Sequence, residues 1–449
     1  MMQLKDKKVI VIGLGKSGVK LLEFLDKKHV QTTAYDSNNT TDKSLSEKFS
    51  ANINFKLGQN PNGDEICDLV IVSPGISMNL EFMKKFTDRN IEIAGEVEFA
   101  YNFAKGRFVS ISGTNGKTTT TALTGEIFKA AGFDTRVVGN IGNPVISEVE
   151  TSTEDTIFVA ELSSFQLETI KKFNSKAAVV INVTPDHLDR HLTVENYAAV
   201  KSRIFENQKN DDYSIINYDD PSVRKMAEKL KSRLIFFSKE SKLKNGIYIE
   251  NGIIKYAKNS DIKEIIKRDE VFLKGNHNLE NVMSAIGLGI ANDVDIEVMK
   301  KVLREFKGVE HRLELVENTG GIEYINDSKG TNVDSSIKAL EAYDHDVILI
   351  AGGYDKKAEF VDFVKMFSAR VKHAIFMGQT RQKLADACIE NGYNEFTFAQ
   401  NMKEAVETAK KIAKPGDTVL LSPACASWGM YNNFEERGED FKNNVRGHV

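Results

Sequence analysis

The stretch from Phe108 to Thr121 limits the possible folds more than any other part of this chain. Phe108 to Ser112 is apolar enough for a buried strand. Gly113, Thr114, Asn115 and Gly116 follow, and Lys117 and Thr118 to Thr121 lead into a helical pattern through Phe128. That order is a strand, a tight loop and a helix start. The first N–H groups of such a helix are unpaired, and its dipole favours an anion there. Gly113 and Gly116 let the backbone close around an oxyanion, Lys117 adds a mobile positive charge, and Thr118 offers a hydroxyl to Mg²⁺, as in a phosphate-binding loop. The usual loop has four residues between its glycines; here only Thr114 and Asn115 intervene. A strand–helix turn with a surface lysine is the plain alternative. Four consecutive threonines are poor helix formers, so propensity is overridden at this point, as happens at functional sites.

The length of 449 residues suggests roughly three domains of about 150 residues. Hydrophobic residues make up 41% and charged residues 28%, which is ordinary for a globular protein. A net charge of −4 gives no basic footprint for nucleic acid. Cys67, Cys388 and Cys425 are too few and too dispersed for a zinc site or a disulfide framework, which suits a reducing compartment. The apolar run Val9 to Ile12 is too short for a signal peptide or a membrane span. The expectation is a cytoplasmic protein with no membrane insertion.

Residues 9 to 36 read as strand, loop, helix and strand. Val9 to Ile12 leads into Gly13, Gly15 and Gly18, a complete Gly-x-Gly-x-x-Gly. Val19, Leu22 and Leu25 then recur at helical spacing, and a second strand ends at Asp36, where an acid would meet a ribose. At face value this is a dinucleotide site. The unit stops near Val97, however, short of a full two-half dinucleotide domain, so the motif says only that some nucleotide's phosphates rest on the turn. Leu69 to Val72 forms a further strand ending in Ser73, Pro74, Gly75 and Ile76.

From Glu98 the scheme repeats. A strand from Thr156 ends at Glu161, and another from Ala177 ends before Asp186 and His187. A helix carrying Tyr197 and Lys201 follows, Asn251-Gly252 signals a hairpin, and Asn278 and Asn281 share a helix face. From Gly308 a third unit has strands ending at Asp327, Gly352, Gly378 and Ser422. Strand–helix alternation implies parallel sheets, with ligands at the carboxyl ends of the strands. The expected fold is α/β in three domains, each on a mostly parallel sheet: residues 1–97, 98–307 and 308–449. The first and last would be Rossmann-like, the middle one like a phosphate-loop ATPase.

Polar residues gather after these strands: Lys117, Thr118, Glu161, His187 and Lys201 in the middle unit, Asp327, Ser328 and Lys329 in the last. Each has a plain reading. Glu161 can cap the next helix, His187 can be a satisfied loop histidine, Lys201 a solvated helix face, and Asp327-Ser328 a helix cap. Glu161 and His187 at strand ends can equally hold Mg²⁺ against a nucleotide.

Six strings in order carry a resemblance: Gly113 to Thr119, Glu161 to Gln166, Asp186 to Asp189, His277 to Asn281, Glu310 to Arg312, and Asn326 to Asn332. Together the chain resembles the Mur ligases of peptidoglycan synthesis over essentially its whole length, and the shortened phosphate loop is the form that family uses. Ser73 to Ile76, Val138 to Gly142 and Ser422 to Ser427 resemble the branch that adds D-glutamate.

The resemblance implies an N-terminal unit that holds UDP-N-acetylmuramoyl-L-alanine and not NAD, through Gly15, Lys16, Ser17, Asp36, Ser73, Gly75, Asn140 and His187. It implies ATP on Gly113, Thr114, Asn115, Gly116, Lys117, Thr118 and Thr119, with Asn278, Asn281, Arg312, Asp327 and Lys329 near its adenine, ribose or phosphates. Thr118, Glu161, His187 and Lys201 would serve two Mg²⁺ ions, Lys201 as an N-carboxylated (carbamylated) lysine. Lys117, Glu161, His187 and Lys201 would be the catalytic set. D-Glutamate would meet Thr331, Lys356, Ser427 and Phe434, with Lys357 competing for the role of Lys356. The implied reaction is an ATP-dependent ligation through an acyl phosphate, by a monomer. The alternatives are a sister ligase (another Mur enzyme or a folylpolyglutamate synthetase), an NAD-dependent oxidoreductase, and a nucleotide switch without a co-substrate.

Overall fold

The computed structural model describes residues 3–38, 43–273, 275–343, 346–355 and 358–447. Its strands assemble into three sheets. The first contains β1 (Lys8–Ile12), β2 (Gln31–Asp36), β3 (Ile53–Leu57), β4 (Leu69–Val72) and β5 (Glu92–Gly95), in the order β3-β2-β1-β4-β5 and parallel throughout. Its central strands β1 and β4 are apolar on both faces because both faces are covered, whereas edge strand β3 exposes Asn54 and Lys56. Val9 and Val11 enter one core cluster, while Ile10 and Ile12 enter another with Phe82, Met83 and Phe86.

The second sheet has nine strands: β6 (Arg107–Ser112), β7 (Thr135–Gly139), β8 (Ile157–Glu161), β9 (Ala177–Val180), β10 (Tyr213–Asn217), β11 (Arg233–Ser238), β12 (Gly246–Glu250), β13 (Ile253–Lys258) and β14 (Asp261–Lys267). Their order is β14-β13-β12-β11-β10-β9-β6-β8-β7. Only the β12–β13 and β13–β14 pairings are antiparallel. The first of these turns on Asn251 and Gly252, with φ of 52° and 73°. Two successive positive φ values define the turn type that Asn-Gly favours.

The third sheet contains β15 (Glu314–Thr319), β16 (Ile322–Asn326), β17 (Val347–Ala351), β18 (Val371–Phe376), β19 (Phe396–Phe398) and β20 (Thr418–Leu421), in the order β15-β16-β20-β17-β18-β19. Only β15 runs antiparallel. Alternation along β17 divides its burial: Val347, Leu349 and Ala351 face one cluster, Ile348 and Ile350 the other. Each fully buried side chain of this size contributes roughly 1.5–3 kcal/mol, so the register of this central strand is firmly set.

The chain forms two compact units. One holds residues 1–271 and 280–305, with the first two sheets; the other holds 272–279 and 306–449, with the third. Within the first unit a single apolar cluster runs from Val9 and Leu21 through Phe99 and Phe108 to Val180 and Phe205. Among the described residues no helix is long and apolar enough to cross a membrane.

Candidate active site

In the nine-stranded sheet the neighbours β9, β6 and β8 deliver their carboxyl-end loops side by side. β6 is buried and ends at Gly113, with φ +152°; Gly116, with φ +83°, precedes the helix Lys117–Ala130. Both values lie where side chains are disfavoured. A Cβ on Gly116 would stand 2.0 Å from Oδ1 of Asn281. All four threonines of Thr118–Thr121 are buried inside that helix, so tertiary burial prevails over their weak propensity. The loop is pinned by the segment after β9: Thr114 N–H donates to Asn182 O and Asn115 N–H to Asn182 Oδ1, both at 2.9 Å. Thr114 Oγ1 donates to Thr184 O at 3.1 Å.

Two lysines meet on this loop. Lys117 Nζ donates to Gly113 O at 2.9 Å and to Thr114 O at 2.7 Å. Lys201, on the helix Val194–Ser202, is 1% exposed and donates from Nζ to Gly113 O at 2.7 Å. Its ammonium also lies 4.4 Å from the centre of the Tyr197 ring. Burial, reinforced by the positive charge of Lys117, holds the Lys201 pKa well below the ordinary lysine value. A solvated helix face is therefore not what Lys201 occupies.

Glu161 closes β8 and is 1% exposed. Its Oε1 accepts a hydrogen bond from Asn140 Nδ2 at 2.7 Å, while Oε2 is buried with no hydrogen-bond partner. The following helix, Ser164–Leu167, is capped by Ser163 and Gln166 in a reciprocal box, so Glu161 is not spent as a cap. A buried carboxylate oxygen without a donor is costly unless a ligand meets it. The donor set of Glu161 and the buried hydroxyl of Thr118 suits a hard divalent cation such as Mg²⁺. His187 follows β9 in a left-handed conformation, φ 51°. Its half-exposed ring lies 4.8 Å from that of Phe165 and 3.6 Å from Asp186. Asn281 is buried and its Oδ1 accepts from Thr120 Oγ1 at 3.3 Å.

The five-stranded sheet gathers a second set at the ends of β2, β1 and β4. Leu14 N–H donates to Asp36 Oδ2 at 2.7 Å, and Ser73 Oγ donates to Gly13 O at the same distance. Gly15, Lys16 and Gly75 are exposed and Ser17 is half-buried; Lys16 Nζ reaches Gly142 O at 2.6 Å. Asp36 is thus held by the backbone of the glycine turn.

In the other unit β16, β20 and β17 are neighbours. Asp327, at the end of β16, is 4% exposed and accepts from Ser422 Oγ at 2.8 Å. Burial pushes its carboxyl up to about 6, against the pull of Arg312. The next helix, Val333–Glu341, is capped by Asn332, so Asp327 and Ser328 are not its cap. Lys329 Nζ sits 5.3 Å from the centre of the Phe434 ring, Ser427 is buried and Thr331 half-buried. Asn278 is also buried. Lys356 and Lys357 lie outside the described residues.

Arg437 was not visible in the sequence. It is 2% exposed, donates to Ser328 Oγ, Ser328 O and Cys425 O, and so ties together the loops after β16 and β20. Burial lowers its pKa to about 10. Asn182, which holds the loop, carries no sequence signal of that role. A loop asparagine has no pattern to betray it.

Three family models match the chain: a Mur ligase MurD-like N-terminal domain over residues 7–95, a Mur ligase middle domain over 111–289, and a Mur ligase glutamate ligase domain over 311–425. The UDP-N-acetylmuramoylalanine–D-glutamate ligase of Thermoanaerobacter sp. (strain X514) is 47% identical, with 99% of each chain covered. The enzyme of the same name from Clostridioides difficile (strain 630) is 46% identical over 99% of each. Among solved structures, the UDP-N-acetylmuramate–alanine ligase of Thermotoga maritima superposes with a TM-score of 0.61 at 16% identity, covering 99% of this chain and 100% of its own. A pseudomurein peptide ligase type C from Methanothermus fervidus gives 0.60 at 17%, with the same coverage. These two share the fold. Matched by family models over most of residues 7–425 and by relatives over 99% of its length, the chain belongs to the Mur ligase family.

Proposed function

We propose that this protein is an ATP-dependent ligase that joins D-glutamate to the L-alanine carboxylate of UDP-N-acetylmuramoyl-L-alanine. The observation that carries this reading is 47% identity over 99% of both chains to a D-glutamate ligase of that specificity. The arrangement of half-buried Lys117 and buried Lys201 on Gly113 O, with buried Glu161, supports the chemistry.

Residues 1–97 would bind the UDP-linked substrate, 98–307 ATP, and 308–449 the amino acid. In the first, Gly15, Lys16, Ser17, Asp36, Ser73 and Gly75 hold uridine and diphosphate, with Asn140 and His187 added from the middle domain. In the second, Gly113 to Thr119 cradle the ATP phosphates, with Asn281 beneath the loop. Asn278, Arg312, Asp327 and Lys329 serve the rest of the nucleotide. Thr331, Ser427, Phe434 and Lys356 receive D-glutamate.

Chemically, a carboxylate oxygen of the L-alanine unit attacks the γ-phosphorus, and the bond to the β-bridging oxygen breaks to release ADP. The D-glutamate amine then adds to the acyl carbon, the C–O bond to phosphate breaks, and amide, phosphate and a proton leave. The difficulty is charge. Two unit charges about 4 Å apart repel by roughly 4 kcal/mol at an effective dielectric near 20, so a carboxylate does not approach a triphosphate unaided. Lys117 brings its ammonium to the γ-phosphate. Thr118, Glu161, His187 and Lys201 would hold two Mg²⁺ ions, which when bound would supply further positive charge against the triphosphate. Burial and the charge of Lys117 favour the neutral amine of Lys201, and the neutral amine can add CO₂ and lose a proton to become a carbamate. That anion would face the cations that burial of a lysine otherwise excludes. The protein would act in the cytoplasm as a monomer.

The test is isotopic. With ¹⁸O in the L-alanine carboxylate, one labelled oxygen should appear in the released phosphate. Unlabelled phosphate would contradict the acyl-phosphate route.

A further inference from the structure

Arg190 makes no contact in the scheme above, yet it joins three loops of the first unit. Its Nη2 donates to Ile76 O at 3.0 Å, and its Nη1 lies 3.4 Å from both Pro74 O and Gly75 O. The same guanidinium grips Glu168 with Nε at 3.0 Å and Nη2 at 2.6 Å. It also lies 4.3 Å from the centre of the Phe165 ring, the ring that touches His187. Both charged side chains are largely buried, at 13% and 16% exposure, so the pair is little screened.

The loop that Arg190 holds leaves β4 beside the glycine turn. At its start Ser73 Oγ donates to Gly13 O, and Ile76 N–H returns to Ser73 O at 3.0 Å. Its far end is fastened by Arg190, on the short helix Leu188–His191, which in turn holds Glu168 at the end of the helix Ser164–Leu167. A Cβ on Gly75 would meet nothing within 4 Å, so the turn is open at that position. Besides Ser73 Oγ and the packing of Ile76 against the core, its carbonyls anchor it to Arg190.

We propose that Arg190 is a positioning residue that fixes the Ser73–Ile76 turn against the Phe165 and His187 loops, and thereby sets affinity for the UDP-linked substrate. This rests on the ligase reading, in which Ser73 and Gly75 hold that substrate. A planar fork is needed to serve a carboxylate and several carbonyls at once; a lysine ammonium has the charge but not the geometry.

The test uses the full chain and two readouts: calorimetric Kd for UDP-N-acetylmuramoyl-L-alanine, and separate KM values for that substrate, ATP and D-glutamate. Arg190→Lys should weaken the UDP-linked substrate about tenfold in both Kd and KM, while KM for ATP stays within about twofold. Arg190→Ala should behave likewise and regain affinity when guanidinium is added at millimolar concentration. An unchanged Kd in Arg190→Lys, or a parallel rise in all three KM values, would overturn the proposal. Failure of the wild-type chain to bind the UDP-linked substrate would instead defeat the ligase reading, and the proposal with it.

Discussion

Lys117 and Lys201, 84 positions apart in sequence, donate to the same acceptor, the carbonyl oxygen of Gly113, at 2.9 and 2.7 Å. Two ammonium groups cannot share one buried oxygen cheaply. Lys201, at 1% exposure, is the one whose pKa is pushed down, by burial first and then by the charge of Lys117. Below its lowered folded-state pKa, both folded and unfolded chains carry its proton. Between that value and the ordinary lysine pKa, only the unfolded chain does, so this residue makes stability rise with pH across that window.

Lys201→Ala should therefore lose nearly all turnover, and acetate or another short carboxylate should restore part of it by standing in for the carbamate. Full activity in Lys201→Ala would remove the carbamate from the account.

Lys117→Ala should lower turnover by orders of magnitude, since its charge acts chiefly where charge develops in phosphoryl transfer. A steady-state rate near wild type would sink the phosphate-loop assignment.

Gly116→Ala tests the loop's backbone. The left-handed conformation costs a side chain roughly 1–2 kcal/mol, and the added Cβ would lie 2.0 Å from Asn281 Oδ1. Nucleotide affinity should fall by more than about tenfold, read by calorimetry with a non-hydrolysable ATP analogue. Unchanged affinity would show that the loop is not the cradle.

Glu96 gives a pH signature away from the chemistry. It is 2% exposed, and its Oε1 accepts from Ile146 N–H at 2.7 Å. Burial outweighs that bond and pushes its pKa up to about 7 from 4.5. Below pH 4.5 the residue is neutral in both states. As pH rises towards 7 the unfolded chain ionises first, so stability falls, by about 1.4 kcal/mol per pH unit and roughly 3 kcal/mol in all. Glu96→Gln keeps the acceptor and removes the ionisation. Its apparent Tm should match wild type near pH 4.5 and exceed it at pH 8; equal values at both would contradict this.

The sequence shows the parts of this site that follow strands and leaves hidden the parts that reach it through space. Gly113, Gly116 and Lys117 lie in one contiguous string, and Glu161, Asp186 and Asp327 follow apolar runs whose direction fixes which edge they occupy. Lys201 is legible only through resemblance, because a lysine on a helix reads as solvated until burial is known. Arg437 and Arg190 could not be seen, since their partners lie far off in sequence and several are backbone carbonyls, which leave no trace in residue identity. The antiparallel β12–β14 extension announced itself through Asn251-Gly252, where turn chemistry is local.

The acceptor is the centre of the account, and one assay addresses it: phosphate release with ATP and UDP-N-acetylmuramoyl-L-alanine against a panel of D-glutamate, L-alanine, L-lysine and diaminopimelate. D-Glutamate should sustain turnover at least about a hundredfold faster than the others, because L-alanine and L-lysine lack a side-chain carboxylate for the site's cation and donors, and that of diaminopimelate sits on a longer arm beside an ammonium. Faster release with any of the other three would contradict D-glutamate as the acceptor.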